Sequence, residues 1–239
     1  MKKHLFYLWL SIILSLLIVQ TTAFSQEILA DQVGAAIANH FYGNFKVTSN
    51  MKGSVTIKGE VNSLYEKYKI FEIASKVPGV KAISNQVTIN TATLPDKEIE
   101  ANIKEEMIYV SSIWEPDRIK VSVDNGVVFL EGQVSFYHEK LMMETMSSWQ
   151  KGVKGIVNRL EVLPPQKAKN DENLKEVLNE IMEHEFSREH NINFTIEKGI
   201  VFLNGSASTL WAKHHVEETF LNVIGIKDVK DNLVIKPIA

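Results

Sequence analysis

Four histidines and three glutamates crowd the last third of the chain: His184, His190, His214 and His215, with Glu183, Glu185 and Glu189. Imidazole and carboxylate are zinc donors, and a helical site often sets two of them at i and i+4. His214 and His215 are adjacent, so on a helix they point about 100° apart. His184 and His190 have no matching spacing. These residues read as surface histidines on solvated helices, and no metal or other cofactor is expected. No Ser, His and Asp stand in a nucleophile motif. The chain has no cysteine, which removes thiol chemistry and disulfides together. Neither catalysis nor a small-molecule substrate is expected.

Glycine is the other residue type whose placement could carry chemistry, because a glycine-rich loop can cradle phosphate. Here no Lys-Ser/Thr follows the glycines and no parallel nucleotide-binding unit surrounds them. Their spacing says something else. Gly53, Gly126 and Gly199 lie 73 residues apart, as do Gly59, Gly132 and Gly205, and Gly79, Gly152 and Gly225. The sequences around them read GSVTIKGEV, GVVFLEGQV and GIVFLNGSA, then PGVKAISNQVTI, KGVKGIVNRLEV and IGIKDVKDNLVI. A fixed period with no insertion between the anchors means one small folding unit copied in tandem. The nine glycines are therefore read as structural, the first of each unit in a hairpin turn and the last ending a helix.

The second copy shows the unit best. Ile99, Ile103, Met107 and Val110 recur at helical spacing, and Ile119, Val121 and Val123 then alternate with polar residues as a strand. Asn125-Gly126 suits a tight hairpin turn, and Val127 to Gln133 returns. A helix follows from Tyr137 to Trp149, then a strand in which Ile156, Leu160 and Val162 alternate with Val157, Arg159 and Glu161. The order is helix, strand, strand, helix, strand. The strand–helix–strand crossover implies a mixed sheet. The fold class is α+β: three units, each a three-stranded mixed sheet packed on two helices, over residues 26–94, 95–166 and 167–239. The expected linkers, Thr91 to Pro95 and Pro164 to Lys167, are short and contain proline.

The run from Gly53 to Gly59, the helix after it, and Gly79-Val80 through Ile83, Asn85, Val87 and Ile89 resemble the BON domain. Gly152-Val153, Ile156, Asn158, Leu160 and Val162 repeat the pattern, and the third unit departs once, with Asp231 where the others have Asn85 and Asn158. The resemblance implies a bacterial envelope protein similar to osmotically inducible periplasmic proteins built from tandem BON domains. It further implies association with phospholipid membranes and chaperone-like help to outer-membrane traffic, and it brings no catalytic residues.

Export is expected from the sequence as well. Lys2 and Lys3 precede an apolar run from Leu5 to Val19, and Ala23-Phe24-Ser25 offers a cleavage site before Gln26. An uncleaved anchor is the alternative. Without cysteine, lipid attachment at the cleavage site is excluded, so a periplasmic protein that is not a lipoprotein is expected. Residues 26–94 carry seven Lys against five acidic side chains, residues 95–166 eight basic against twelve, and residues 167–239 nine against twelve. No basic stripe suits nucleic acid.

Two surfaces remain as candidates. Leu64, Tyr65, Tyr68 and Phe71 are interleaved with Lys67 and Lys69 on the second helix of the one net-positive unit. Rings beside lysines suit a membrane interface, and packing against a neighbouring unit is an equal alternative. The second surface is the non-core sheet face of the later units: Val127, Phe129 and Val157, then Ile200, Phe202 and Val234. A solvated face should read polar, so these faces are expected to be buried against each other or against a second chain. The functional expectation is non-enzymatic binding to phospholipid or to envelope proteins in support of envelope integrity under stress. The alternatives are a chaperone for exported clients and a structural adaptor.

Overall fold

The computed structural model describes residues 27–110, 113, 115–163, 170–189 and 191–236. The expected export signal, the second linker and His190 lie outside these residues. Unit 1 consists of α1 (27–38), β1 (Lys46–Ser49), β2 (Ser54–Lys58), β3 (Glu60–Val61), α2 (Leu64–Ser75), β4 (Ala82–Asn85) and β5 (Thr88–Ile89). Unit 2 consists of α3 (Asp96–Tyr109), a single 3₁₀ turn at Pro116–Arg118, β6 (Ile119–Asp124), β7 (Val127–Val134), α4 (Tyr137–Trp149) and β8 (Gly155–Val162). Unit 3 consists of α5 (Asp171–Glu185), β9 (Ile192–Glu197), β10 (Ile200–Ala207), α6 (Leu210–Leu221), β11 (Asp228–Asp231) and β12 (Val234–Ile235).

The main sheet of each unit has an antiparallel hairpin on one side and a parallel partner on the other, and in unit 1 β3 and β5 form a further parallel pair. The parallel register is the same in all three units: Val55 faces Ile83, Val128 faces Ile156, and Val201 faces Val229. This constancy follows from the fixed number of residues between hairpin and returning strand. The expected third strand is continuous only in unit 2. In units 1 and 3 it breaks into β4 and β5, or β11 and β12, just after Asn85 and Asp231. Alternation along the central strand buries Val55 and Ile57, Val128 and Leu130, and Val201 and Leu203 under the helices. Ile70, Ala74, Met143, Met146, Val216 and Phe220 meet them from the second helices.

The glycines join the two ends of each unit. Asn125 and Gly126, like Lys198 and Gly199, both have positive φ, as a type I′ hairpin turn requires. Unit 1 uses a longer turn, which Asn50 braces by accepting from the amides of Lys52 and Ser54. In units 2 and 3 the brace comes from the first helix. Asp96 accepts from the amides of Asn125 and Gly126, and Asp171 from those of Lys198 and Gly199. A Cβ on Gly53 would stand 2.4 Å from the carbonyl oxygen of Gly79, and one on Gly126 would stand 2.7 Å from that of Gly152. The hairpin turn thus docks directly on the turn that ends the crossover.

That second turn corrects one expectation. Gly79, Gly152 and Gly225 do not end helices: α2, α4 and α6 are capped at Lys76, Gln150 and Asn222. Each glycine instead holds the third position of a following β-turn, closed by Val80 N to Val77 O, Val153 N to Gln150 O, or Ile226 N to Val223 O. Its positive φ is what a type II turn demands there.

Candidate functional site

The candidate surfaces are built on the second helices, and their side chains decide how the units meet. Leu64, the first residue of α2, is buried in the core cluster of unit 2 beside Ile99 and Met143. Leu210, the first residue of α6, is buried in the core cluster of unit 1. Tyr137 is their counterpart at the start of α4. Burial raises its phenol pKa, with Glu218, Glu217 and Glu144 adding to the shift, so this end of α4 lies in the field of α6. Each second helix therefore turns its first residue toward the next unit, and unit 3 closes back on unit 1.

The next positions repeat this cyclic rule. Tyr65 sets its ring edge-on against Trp149 at 5.4 Å. Trp211, the counterpart of Tyr65, lies under the ammonium of Lys76, the counterpart of Trp149, at 5.0 Å. One turn along, Tyr68 faces Glu144, and His214 faces Phe71 at 6.2 Å. Burial, with Glu144 beside it, pushes the Tyr68 phenol up to about 12. Glu217 is also raised, first by burial and then by Asp231, against the pull of His214 and Lys213. Burial alone would raise Glu72 too, but hydrogen bonds from Lys69 and Lys76 outweigh it and hold the carboxyl low.

The proposed membrane-facing residues are thus divided. Leu64 lies within the protein, and Tyr65 and Phe71 are half-buried against Trp149 and His214. Lys69 is tied to Glu72. Tyr68 remains 38 % exposed and Trp149, on the adjoining helix, 50 % exposed. Lys67 is half-buried, and its repeat counterparts Lys140 and Lys213 serve the fold by donating to the carbonyls of Leu160 and Leu233.

The partner of that lysine is the asparagine of the repeat. Asn85 and Asn158 donate to the helix carbonyls of Lys67 and Lys140 and accept from the amides of Val87 and Leu160. In unit 1, Gln86 and Thr88 donate to the central strands, so the amide of Val87 between them points to the open edge. Asn85 caps that edge, where unpaired groups invite another strand, and in unit 2 Asn158 and Lys140 cap the matching edge together. Asp231 cannot donate. It still accepts from the Leu233 amide, and its second oxygen pairs with Lys213 at 3.0 Å. Sequence reasoning missed the lysine, although Lys67, Lys140 and Lys213 obey the same spacing as the glycines.

The sheet faces of units 2 and 3 are not buried against each other. Val127, Phe129, Val157, Ile200 and Phe202 are half-exposed, and Val234 is 53 % exposed. The physical reason is that the units spend their largest apolar contacts on the second helices, which lie on the opposite side of each sheet. Arg159 covers part of the Phe129 ring at 6.0 Å and also bonds Glu131. His215 stacks on Trp211 and meets Phe186, whereas His214 meets Phe71.

A three-stranded mixed sheet under two helices, repeated three times and closed through the second helices, defines a tandem-repeat α+β protein. The family model of the BON domain matches residues 25–91, 95–164 and 170–237, and the chain belongs to the BON domain family. Among solved structures it is similar to the C-terminal domain of CdsD, a structural protein of the type III secretion system of Chlamydia trachomatis. The identity is 15 %, with 87 % of this chain and 98 % of that one covered at a TM-score of 0.25. It is also similar to the PrgH periplasmic domain, at 8 % identity over 82 % of this chain and 95 % of that one, with a TM-score of 0.19. Superpositions this loose carry no argument. No curated protein matches the chain.

Proposed function

We propose that this chain is a non-enzymatic binding protein of the bacterial envelope, exported to the periplasm, that associates with phospholipid surfaces and supports envelope integrity. The observation that carries the reading is the rim between α2 and α4. There Trp149 and Tyr68 stay exposed while Tyr65 buttresses Trp149, and Lys69 lies 5.7 Å from the Tyr65 ring. Amphipathic rings held beside an ammonium suit the headgroup level of a bilayer. Membership of the BON domain family supports the same reading. The rim is smaller than the helix face the sequence suggested, so binding is expected to be weak and to rest on two or three rings.

The test is co-sedimentation of the chain with vesicles of anionic or zwitterionic phospholipid, at low and physiological salt, beside a Tyr68→Ser, Trp149→Ser variant. Binding that survives physiological salt and is lost in the variant supports the proposal. Absence of binding to both lipids would remove it. A second reading, a holder of exported client or partner proteins, is favoured by the half-exposed Phe129 and Phe202 on the outer sheet faces. Loss of client protection in Phe129→Asp and Phe202→Asp, with vesicle binding unchanged, would select it.

A further inference from the structure

The outer sheet faces of the three units differ sharply at one cross-strand position. In unit 2 Lys120 stands opposite Glu131, which pairs with Lys120 at 3.8 Å and with Arg159 at 3.3 Å. In unit 3 the position holds Asn193 opposite Asn204, and Asn232 donates to Asn204. In unit 1 it holds Lys46 opposite Lys58, both exposed. Like charges directly opposite repel across a sheet. Among the described residues neither ammonium has a carboxylate partner, and the same is true of exposed Lys52 and Lys81, which flank Gly53 at the other end of β2. Lys58 lies five residues from Gly53, about 17 Å along a strand. Between the two ends the face is set with hydroxyls, Ser54 and Thr56 on β2 with Thr48 and Ser84 beside them. Glu60, two residues beyond Lys58, is taken up by Asn90.

An opposite stripe lies on α5. Glu172, Glu176, Glu180 and Glu183 are all exposed and fall within about 80° of one another around the helix. Leu174 and Leu178 are buried on the other side, and Lys175 stands about 60° off the stripe. Among the described residues none of the four carboxylates has a cation partner, and like charges four residues apart repel along a helix. The stripe spans eleven residues, about 17 Å. Aligned on the core residues Leu174 and Ile99, the same positions of α3 hold Lys97, Ala101, Glu105 and Ile108, so unit 2 carries no such stripe.

We infer that the outer sheet face of unit 1 binds the α5 stripe of a second copy of this chain, joining copies head to tail. The occupant is argued from charge and length. Each surface repels itself in the isolated chain, and their union relieves both repulsions at once. Four ammoniums meet four carboxylates over the same length, and the hydroxyls between them are further donors to carboxylate. Exposed charge pairs give rate and specificity more than affinity, so the association is weak and falls with salt. Because the two patches differ, the contact is heterologous and builds rings or open chains. It is independent of the phospholipid proposal, whose rim lies on α2 and α4.

The test is sedimentation velocity of the whole chain over a range of concentrations. It is run in about 0.1 M and about 1 M sodium chloride, where the screening length is about 10 Å and about 3 Å. Association is expected at the lower salt and should be at least about tenfold weaker at the higher. One variant carries Lys46→Glu, Lys52→Glu, Lys58→Glu and Lys81→Glu; a second carries Glu172→Lys, Glu176→Lys, Glu180→Lys and Glu183→Lys. All eight positions are exposed, so each variant should keep its fold by circular dichroism and sediment as a monomer. An equimolar mixture of the two should associate again, since each carries the complement of the other's reversed surface. The salt series tests the inference without any substitution. A wild-type monomer at the lower salt, association indifferent to salt, association retained in either variant, or a mixture that stays monomeric would each overturn it. So would loss of binding to anionic vesicles in the lysine variant with self-association unchanged, which would make the face a lipid contact.

Discussion

The seam between units 1 and 2 and the seam between units 2 and 3 use the same helix positions and come out differently. In the first, an aliphatic side chain enters the neighbour's core and two rings close over it. In the second, a tyrosine stands at the entry amid three carboxylates, and a histidine and an asparagine turn back to their own unit. The difference shows that the repeat specifies the unit's fold, whereas the residues allowed to vary on the second helix specify how tightly units join. Tandem copies are often treated as stabilities added to neighbour terms, and here the neighbour terms are unequal by composition.

The largest expected effect tests that inequality directly. Leu64→Ala and Leu210→Ala should each destabilise the chain by about 3 kcal/mol, as buried leucine truncations do. Tyr137→Ala, at the half-filled seam, should cost about 1 kcal/mol by the size of ordinary partly exposed substitutions. Urea denaturation of the three variants checks this, and equal costs would break the comparison.

A double-mutant cycle sharpens it. Tyr65 and Trp149 should couple by about 1 kcal/mol, the usual worth of an edge-on aromatic pair beyond its buried area. His138 and Asn222, at the same two positions, should couple by less than about 0.3 kcal/mol, as independent sites do. A coupling of similar size in both cycles would mean that the third seam closes in solution.

The smallest effect concerns pH. The folded-state pKa of Glu217 is raised, so the folded chain holds this proton more tightly than the unfolded chain. Stability from this group therefore falls as pH rises through the folded pKa and is recovered as pH drops back below it. Glu217→Gln should flatten that slope just above the ordinary carboxylate range and leave the slope at other pH values alone. Asp231→Asn should lower the Glu217 pKa toward its ordinary value, since Asp231 is the main charge raising it. Because Asn85 and Asn158 already fill that role in the other units, the substitution should leave the fold intact. Thermal unfolding between pH 4 and 8 reads both.

Much of the unit was legible in the chain because its signals are local. Alternation in Val127 to Leu130, the Asn125-Gly126 turn and the period of Ile99, Ile103 and Met107 depend on neighbours a few residues away. The edge cap by asparagine and lysine was readable in principle, since Lys67, Lys140 and Lys213 keep the repeat spacing. It went unread because a lysine near aromatics has a second, superficial meaning. The break of the third strand in units 1 and 3 was not legible, because both versions carry the same alternation.

The sequence by itself determined three copies of one α+β unit, the order of their elements, their core faces and their hairpin glycines. These follow from periodicity and from backbone conformations that only certain residues adopt. Tertiary structure alone decided which apolar side chains outside those cores would be covered. Leu64 and Phe129 look equally surplus in the chain, yet one is buried in the next unit and the other is left half-exposed. Hydrophobic burial has no direction of its own, so the outcome depended on which faces the closed arrangement of second helices could bring together.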